Sequence, residues 1–200
     1  MFLFLILRET ETALFNHREC RQTLTNTCKV NRFQNILKGG DLRSIGKAND
    51  AAAMVKSQKD FDELFTCLHN SDRKIVMRTA DAIEKVTVHN PGYLQKHKTE
   101  ILNIFRNAKD IELKWHLALL VTRLSLTEKE SEQTRYKLTQ WAMDRNESKI
   151  VRVNSVQGLF NLIQRRPELS HDFKLIISEI EKEKIPSLNA RIKKVRNAGR

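Results

Sequence analysis

The sequence contains little glycine, proline or aromatic residue, and it lacks the alternating apolar runs that form β-strands. Six glycines and three prolines punctuate 200 residues, and aromatic residues make up 6% of the chain. Hairpins depend on glycine, and strands depend on β-branched and aromatic residues, so a β fold has little support. Helix is the remaining class, and a hydrophobic content of 40% is sufficient for a continuous core.

Cysteine is also scarce. Cys20, Cys28 and Cys67 are three thiols, so they cannot form a complete disulfide framework, and a chain of this length folds without one. Reduced thiols in a cytoplasmic protein are the simplest interpretation. His17 with Cys20 and Cys28 matches no common zinc spacing and has no evident fourth ligand. We therefore predict no metal site and no cofactor.

Long apolar runs are missing as well. The apolar segment 1–7 is followed directly by Arg8 and Glu9, far short of the roughly 20 residues of a membrane span. It also lacks the basic region and cleavage site of a secretory signal. We predict no transmembrane segment. Residues 1–32 are expected to be an N-terminal extension, either one helix, a poorly ordered segment or a membrane-surface anchor, before a domain at residues 33–198.

Positive charge is abundant but uneven. The net charge is +12; the segment before Phe33 contributes +2, the segment after Glu183 contributes +6, and the body between them therefore carries +4. Half of the excess thus lies after Glu183, and four of these six charges fall in a C-terminal helix predicted from about Pro186 to Ala198. This helix offers weak, salt-sensitive attraction to nucleic acid. Its candidate binding residues are Lys193, Lys194 and Arg196.

From Phe33 onward the pattern predicts helices of about 12 to 18 residues, separated by short polar breaks. Thr127 with Glu130 indicates a capping box, and Ser148 is expected to cap a later helix. Apolar residues recur at three- and four-residue steps, which places Leu120 and Phe160 in the core. A basic residue lies just inside each predicted second helix, at intervals of 35, 38, 36 and 39 residues: Arg43, Arg78, His116, Arg152 and Arg191.

This recurrence resembles the HEAT repeat. The segment 64–72 with Ile75-Val-Met-Arg78 is similar to the leucine-rich helix, Asp-containing turn and Val-Arg-Ala helix of that family. Asp110 with His116, and Ser148 with Arg152, look like further copies, although a histidine replaces the arginine in the third. The resemblance implies an all-α fold, an α-α superhelix or HEAT/armadillo-like solenoid of about five helix pairs.

The basic series has two interpretations. An arginine early in a helix can pair with the aspartate of its own or the neighbouring turn, here Asp72 or Asp110, and so tie repeat to repeat. Alternatively, the series forms a ladder that contacts a ligand, together with acidic and basic neighbours on one helix face. The binding residues that this second interpretation selects are Arg78, Asp81, Lys85, His116 and Arg152.

Patterns for catalysis are missing from the sequence. It has no phosphate-binding glycine loop, no nucleophile elbow and no metal-binding His-Glu-x-x-His motif. Trp115 with His116 could stack a base and transfer a proton, but such chemistry needs a carboxylate held against His116. Trp141 and Tyr136 either pack on a helix face or follow a single strand. We predict no catalytic residue and lean toward a protein that is not an enzyme.

Two functions therefore remain in consideration. The first is a scaffold that presents a concave surface, formed by the second helices, to a protein partner. The alternative is a nucleic-acid-binding protein similar to the HEAT-like proteins of DNA alkylation repair. Basic residues converging on the second helices would favour nucleic acid, whereas a mixed or apolar face would favour a protein partner.

Overall fold

The computed structural model describes residues 31–39 and 46–199. These residues form ten α-helices and no strand, and the helices follow one another as five consecutive pairs. The first and second helices of each pair are α1 (Arg32–Leu37) and α2 (Gly46–Met54), α3 (Gln58–Phe65) and α4 (Arg73–His89), α5 (Lys98–Asn107) and α6 (Ile111–Leu120), α7 (Glu128–Met143) and α8 (Lys149–Ile163), and α9 (Ser170–Glu181) and α10 (Pro186–Ala198). The predicted all-α solenoid of about five helix pairs is confirmed.

Short 3-10 segments extend or connect several of these helices. Thr66–His69 continues α3, Pro91–His97 leads into α5, Val121–Arg123 continues α6, and Pro167–Leu169 leads into α9. Each pair with its 3-10 segments is one repeat, numbered one to five along the chain. From α2 onward the turns between helices are short, as in arrays of antiparallel neighbouring helices.

Helix starts follow the capping pattern only in part. The Thr127 hydroxyl accepts from the backbone N–H of Glu130, and the Glu130 carboxylate accepts from the backbone N–H of Thr127, so the predicted capping box is confirmed. Asp72 likewise caps α4 by accepting from the Lys74 N–H. The prediction for Ser148 was wrong, because its side chain makes no capping hydrogen bond at the start of α8.

The second helices form a continuous layer, because α2, α4, α6, α8 and α10 each pack against the next. Leu120 is 2% exposed and Phe160 is 9% exposed, so both predicted core residues are buried. The approach of α6 to α8 is especially close at Gly158. A Cβ atom there would lie 2.4 Å from the carbonyl oxygen of Ala118, so only glycine fits this crossing.

The C-terminal helix α10 has the predicted bounds. Pro186 occupies its first turn, where the missing N–H has no cost. Leu188, Ile192 and Val195 are buried and attach the helix to α8 and α9. Lys193 and Lys194, between Ile192 and Val195, are left exposed. This helix therefore belongs to the folded array and is not a loose tail.

None of the described helices combines the length and hydropathy needed to cross a membrane. Several sequence predictions lie outside the described residues. They concern the extension at residues 1–30, the group His17, Cys20 and Cys28, and the first basic position, Arg43.

Candidate functional site

Matching positions on consecutive second helices remain partly exposed and form one row of side chains. Six of them recur at intervals of 38 residues: Asp81 and Lys85 on α4, Leu119 and Arg123 on or just after α6, and Gln157 and Asn161 on α8. Arg191 on α10 continues the row, since its guanidinium donates to the Gln157 side chain at 2.7 Å. We refer to these seven residues as the second-helix face.

The charges on the second-helix face are mixed. Lys85 donates to Asp81 at 2.6 Å, one helical turn away, so this pair is locally neutral. Leu119 is apolar, and Gln157 and Asn161 are uncharged amides hydrogen-bonded through Gln157 Nε2 and Asn161 Oδ1 at 2.9 Å. The arrangement offers apolar, acidic, basic and amide groups side by side.

Arg123 belongs to the second-helix face and also connects two neighbouring second helices. Its guanidinium donates to the carbonyl oxygen of Glu84 at 2.6 Å and to the Thr87 hydroxyl at 2.7 Å, both on the preceding second helix. Burial lowers the pKa of Arg123, and the nearby Glu84 carboxylate opposes that shift. Arg165 repeats the arrangement one repeat later, donating to the Leu124 carbonyl at 3.1 Å.

The predicted basic residue Arg78 is fully buried. Its described hydrogen bonds go to the carbonyl oxygens of Leu37, at 2.6 Å, and of Gly39, both at the end of α1. These carbonyls have no partner inside the helix, so the arginine satisfies the buried carbonyl of Leu37 and the more accessible carbonyl of Gly39. The predicted partners are not among these contacts: Asp72 caps α4, and Asp110 faces Arg73 at 4.0 Å.

Arg152 is buried in a different arrangement. Its Nε donates to the carbonyl oxygen of Ala142 at 2.9 Å, and its two terminal nitrogens donate to the Glu183 carboxylate at 2.8 Å each. These bonds hold the pKa of Glu183 below its ordinary value, against the opposing effect of desolvation. Arg152 therefore joins the fourth repeat to the turn of the fifth.

The basic series consequently does not form one ladder. Lys114 pairs with Glu147 in the turn of the following repeat, as Arg152 does with Glu183. Lys114, 38 residues before Arg152, is therefore its structural counterpart, and His116 matches Arg78 at the same interval. The predicted series, with its interval of 36 residues from His116 to Arg152, therefore joined positions from two different rows. Only the contacts reveal this error.

His116 does have a carboxylate against it. Its Nδ1 lies 2.5 Å from Glu84 Oε2, the ring is almost fully buried, and the ring of Trp115 lies 5.3 Å away. The pair connects α6 to α4 inside the layer. The arrangement therefore holds two neighbouring second helices together.

The aromatic cluster around Trp141 is part of the core. Trp141 is 5% exposed and meets Phe105 edge-on at 4.9 Å. Lys114 and Lys137 place their ammonium groups 5.8 and 5.7 Å from its ring. Tyr136, by contrast, is exposed and makes no such contact. A track for single-stranded nucleic acid would need several exposed rings, and this cluster supplies one.

At the C-terminal helix the predicted binding residues divide into two kinds. Lys193 and Lys194 are exposed. Arg196 instead forms a bidentate pair with Glu181 of α9, at 2.5 and 2.7 Å. A carboxylate from the preceding helix therefore neutralises one of the basic residues of α10.

A family model for the HEAT repeat domain matches residues 36–198, most of the chain and nearly all of the five-pair array. The chain belongs to the HEAT repeat family. No curated protein and no solved structure matches it. HEAT repeats generally mediate protein interaction and scaffolding.

Sequence reasoning selected Asp81 and Lys85 as binding residues and named Arg191 in the basic series, but it missed the other members of the row. Leu119, Gln157 and Asn161 carry no chemistry that draws attention, and only their interval of 38 residues from the α4 positions could have identified them. A search for partly exposed positions at the repeat interval would have been the appropriate signal.

Proposed function

We propose that this HEAT repeat protein is a scaffold whose second-helix face binds a protein partner. The observation that supports this proposal is the mixed character of the face. An acidic residue, a leucine and amides alternate with basic residues, and the two closest charges neutralise each other. Protein interfaces combine apolar centres with polar groups in this manner, whereas surfaces that bind phosphate backbones are predominantly basic.

The geometry adds a second argument. The row extends over α4, α6, α8 and α10, four successive helices of one packed layer. A row of this kind suits an extended or helical segment that contacts several repeats at once. Leu119, at its centre, is partly exposed and supplies an apolar anchor point.

The test is photo-crosslinking from two leucine positions. A photoreactive amino acid replaces Leu119 on the second-helix face in one protein and Leu175 on α9 in the other. Leu175 is 57% exposed and lies on a first helix, so it is a matched control for an apolar side chain outside the face. Both proteins are irradiated in native extract, with and without nuclease, and the adducts are identified by mass spectrometry.

We expect a defined polypeptide adduct from position 119 that survives nuclease and is missing from position 175. Asp81→Arg together with Gln157→Arg should weaken the same adduct, because both changes alter the row without touching the core. Equal adducts from both positions would contradict the proposal. Adducts that contain nucleotides and disappear with nuclease would favour the nucleic-acid alternative and its candidate residues on α10.

A further inference from the structure

Three histidine–carboxylate contacts occur at one place in the array, the junction between the second and third repeats. In each contact the histidine and the carboxylate belong to different repeats. The pairs are His69 with Glu100, His97 with Asp62 at 2.7 Å, and His116 with Glu84 at 2.5 Å. The first two lie among the first helices and the third lies within the second-helix layer, so the junction is bridged on both sides.

Ion pairs across the other junctions use cations that stay charged at all relevant pH values. The described examples are Arg32 with Asp60 and Glu63 between repeats one and two, Lys98 with Glu130 and Lys114 with Glu147 between repeats three and four, and Arg135 with Asp172 and Arg152 with Glu183 between repeats four and five. Arg78 of α4 and His116 of α6 occupy matching positions, so a histidine stands in the third repeat where the second repeat has an arginine.

His97 is the most enclosed of the pairs on the first-helix side. Its ring stacks on Phe65 with 4.0 Å between ring centres, and its other nitrogen lies 3.9 Å from Glu100. Lys96 shares the Asp62 carboxylate. Burial opposes the ionisation of Asp62, but hydrogen bonds from Lys96, Gln58 and His97 lower its pKa to about 2. The carboxylate therefore stays charged throughout the range in which imidazoles titrate.

On the second-helix side, His116 likewise lies near both an acidic and a basic group. Glu84 of α4 is its anionic partner, and Arg123 lies close enough to Glu84 to interact with the same charge. From α8, Asn154 donates to the carbonyl oxygen of the adjacent Trp115 at 3.1 Å, and this group is neutral. Arg73 with Glu112 adds a permanent ion pair at the same junction.

An imidazole gains its positive charge as the pH falls from about 8 to about 5, and protonation converts its hydrogen bond to a carboxylate into an ion pair with added Coulomb attraction. We propose that the junction between the second and third repeats is a pH-sensitive joint that is tighter when His69, His97 and His116 are protonated. Its stability is then greatest at the acidic end of this range and declines as the pH rises. The other junctions keep their strength.

The test is amide hydrogen exchange of the full chain at pH 5.5 and pH 7.5, corrected for the intrinsic effect of pH and measured with a chelator present. The amides of residues 92–97 and of Val121–Arg123 report on the joint, and those of residues 183–185 and 187–190 report on the junction between repeats four and five. We expect protection at the joint to be about threefold to tenfold greater at pH 5.5, and the ratio at the control junction to stay near one.

Variants separate the histidines from general effects of pH. The triple change His69→Gln, His97→Gln and His116→Gln should remove the response, and His89→Gln with His171→Gln, both exposed, should leave it intact. If the triple variant fails to fold, His116→Arg, which installs the residue type of Arg78, should reduce the ratio by keeping one bridge charged. Equal ratios at both junctions, or a full response in the triple variant, would overturn the proposal.

Discussion

Toward the fourth repeat, the third repeat presents Lys98, Lys114 and a helix that lies directly against Gly158; toward the second repeat, it presents His97 and His116. The junction with the fourth repeat thus combines permanent charges with backbone contact, and the junction with the second repeat adds titratable histidines to the permanent pairs of Arg73 with Glu112 and Lys96 with Asp62. The same repeat architecture therefore accommodates a fixed and an adjustable connection within about 40 residues of sequence. Fold and family alone do not distinguish these two connections.

The junction between repeats four and five extends the fixed side of this comparison, and Arg152→Ala is expected to show the largest effect. The change leaves the Glu183 carboxylate and the Ala142 carbonyl without their partner in a buried site, so the free energy of unfolding should fall by about 3–5 kcal/mol. Chemical denaturation followed by circular dichroism measures it. Arg145, 3.7 Å from the same carboxylate but with a side chain 79% exposed, is the control; a similar loss in Arg145→Ala would contradict this explanation.

Gly158→Ala tests the backbone contact between repeats three and four. The added methyl group would meet the Ala118 carbonyl, which cannot move without shifting α6, so we expect a loss of about 1–3 kcal/mol. Gly92→Ala is the matched control, because nothing lies within 4 Å of the Cβ position there. The thermal midpoint of each variant gives the comparison. A Gly158→Ala protein as stable as Gly92→Ala would mean that the two helices are further apart than described.

The smallest expected effect concerns Asp62, the partner of His97 at the junction between repeats two and three. Its folded pKa of about 2 lies below the value of about 3.9 for an unfolded aspartate, so its contribution is complete above pH 4 and is lost as the pH falls toward 2. Asp62→Asn should therefore lower stability at pH 5 by at most about 1 kcal/mol and make less difference at pH 2.5. Urea denaturation at the two pH values measures this. The exposed Asp50→Asn should show neither change, and a constant Asp62→Asn effect would contradict the assignment.

The helical layout could be predicted from sequence because it depends on local signals. Apolar residues at three- and four-residue steps located Leu120 and Phe160 in the core, and the proline in the first turn of α10 marked its start. The Thr127 capping box is also local, since both of its bonds lie within four residues. Ser148 carried the same signal but makes no cap, because residue type alone does not fix the side-chain direction.

The partners of the buried basic residues could not be predicted, because they lie about one repeat away in sequence. Glu183 follows Arg152 by 31 residues, and the acceptors described for Arg78 are carbonyl groups, which every residue possesses. The row containing Leu119 and Gln157 was missed for a related reason. Which positions remain exposed depends on how neighbouring helices pack, and the sequence alone does not give the register between helices.

The continuous contact of the second helices also has a mechanical consequence. Neighbouring second helices touch along the whole array, whereas the first helices of neighbouring repeats meet most extensively at α7 and α9. When such an array bends, the layer of first helices, which has fewer contacts between repeats, should extend, and the layer of second helices should keep its length. Spacing along the row from Asp81 to Arg191 should then stay nearly constant while the overall curvature varies. A ligand that spans several repeats would therefore meet side chains at nearly constant spacing, even when the curvature of the array changes.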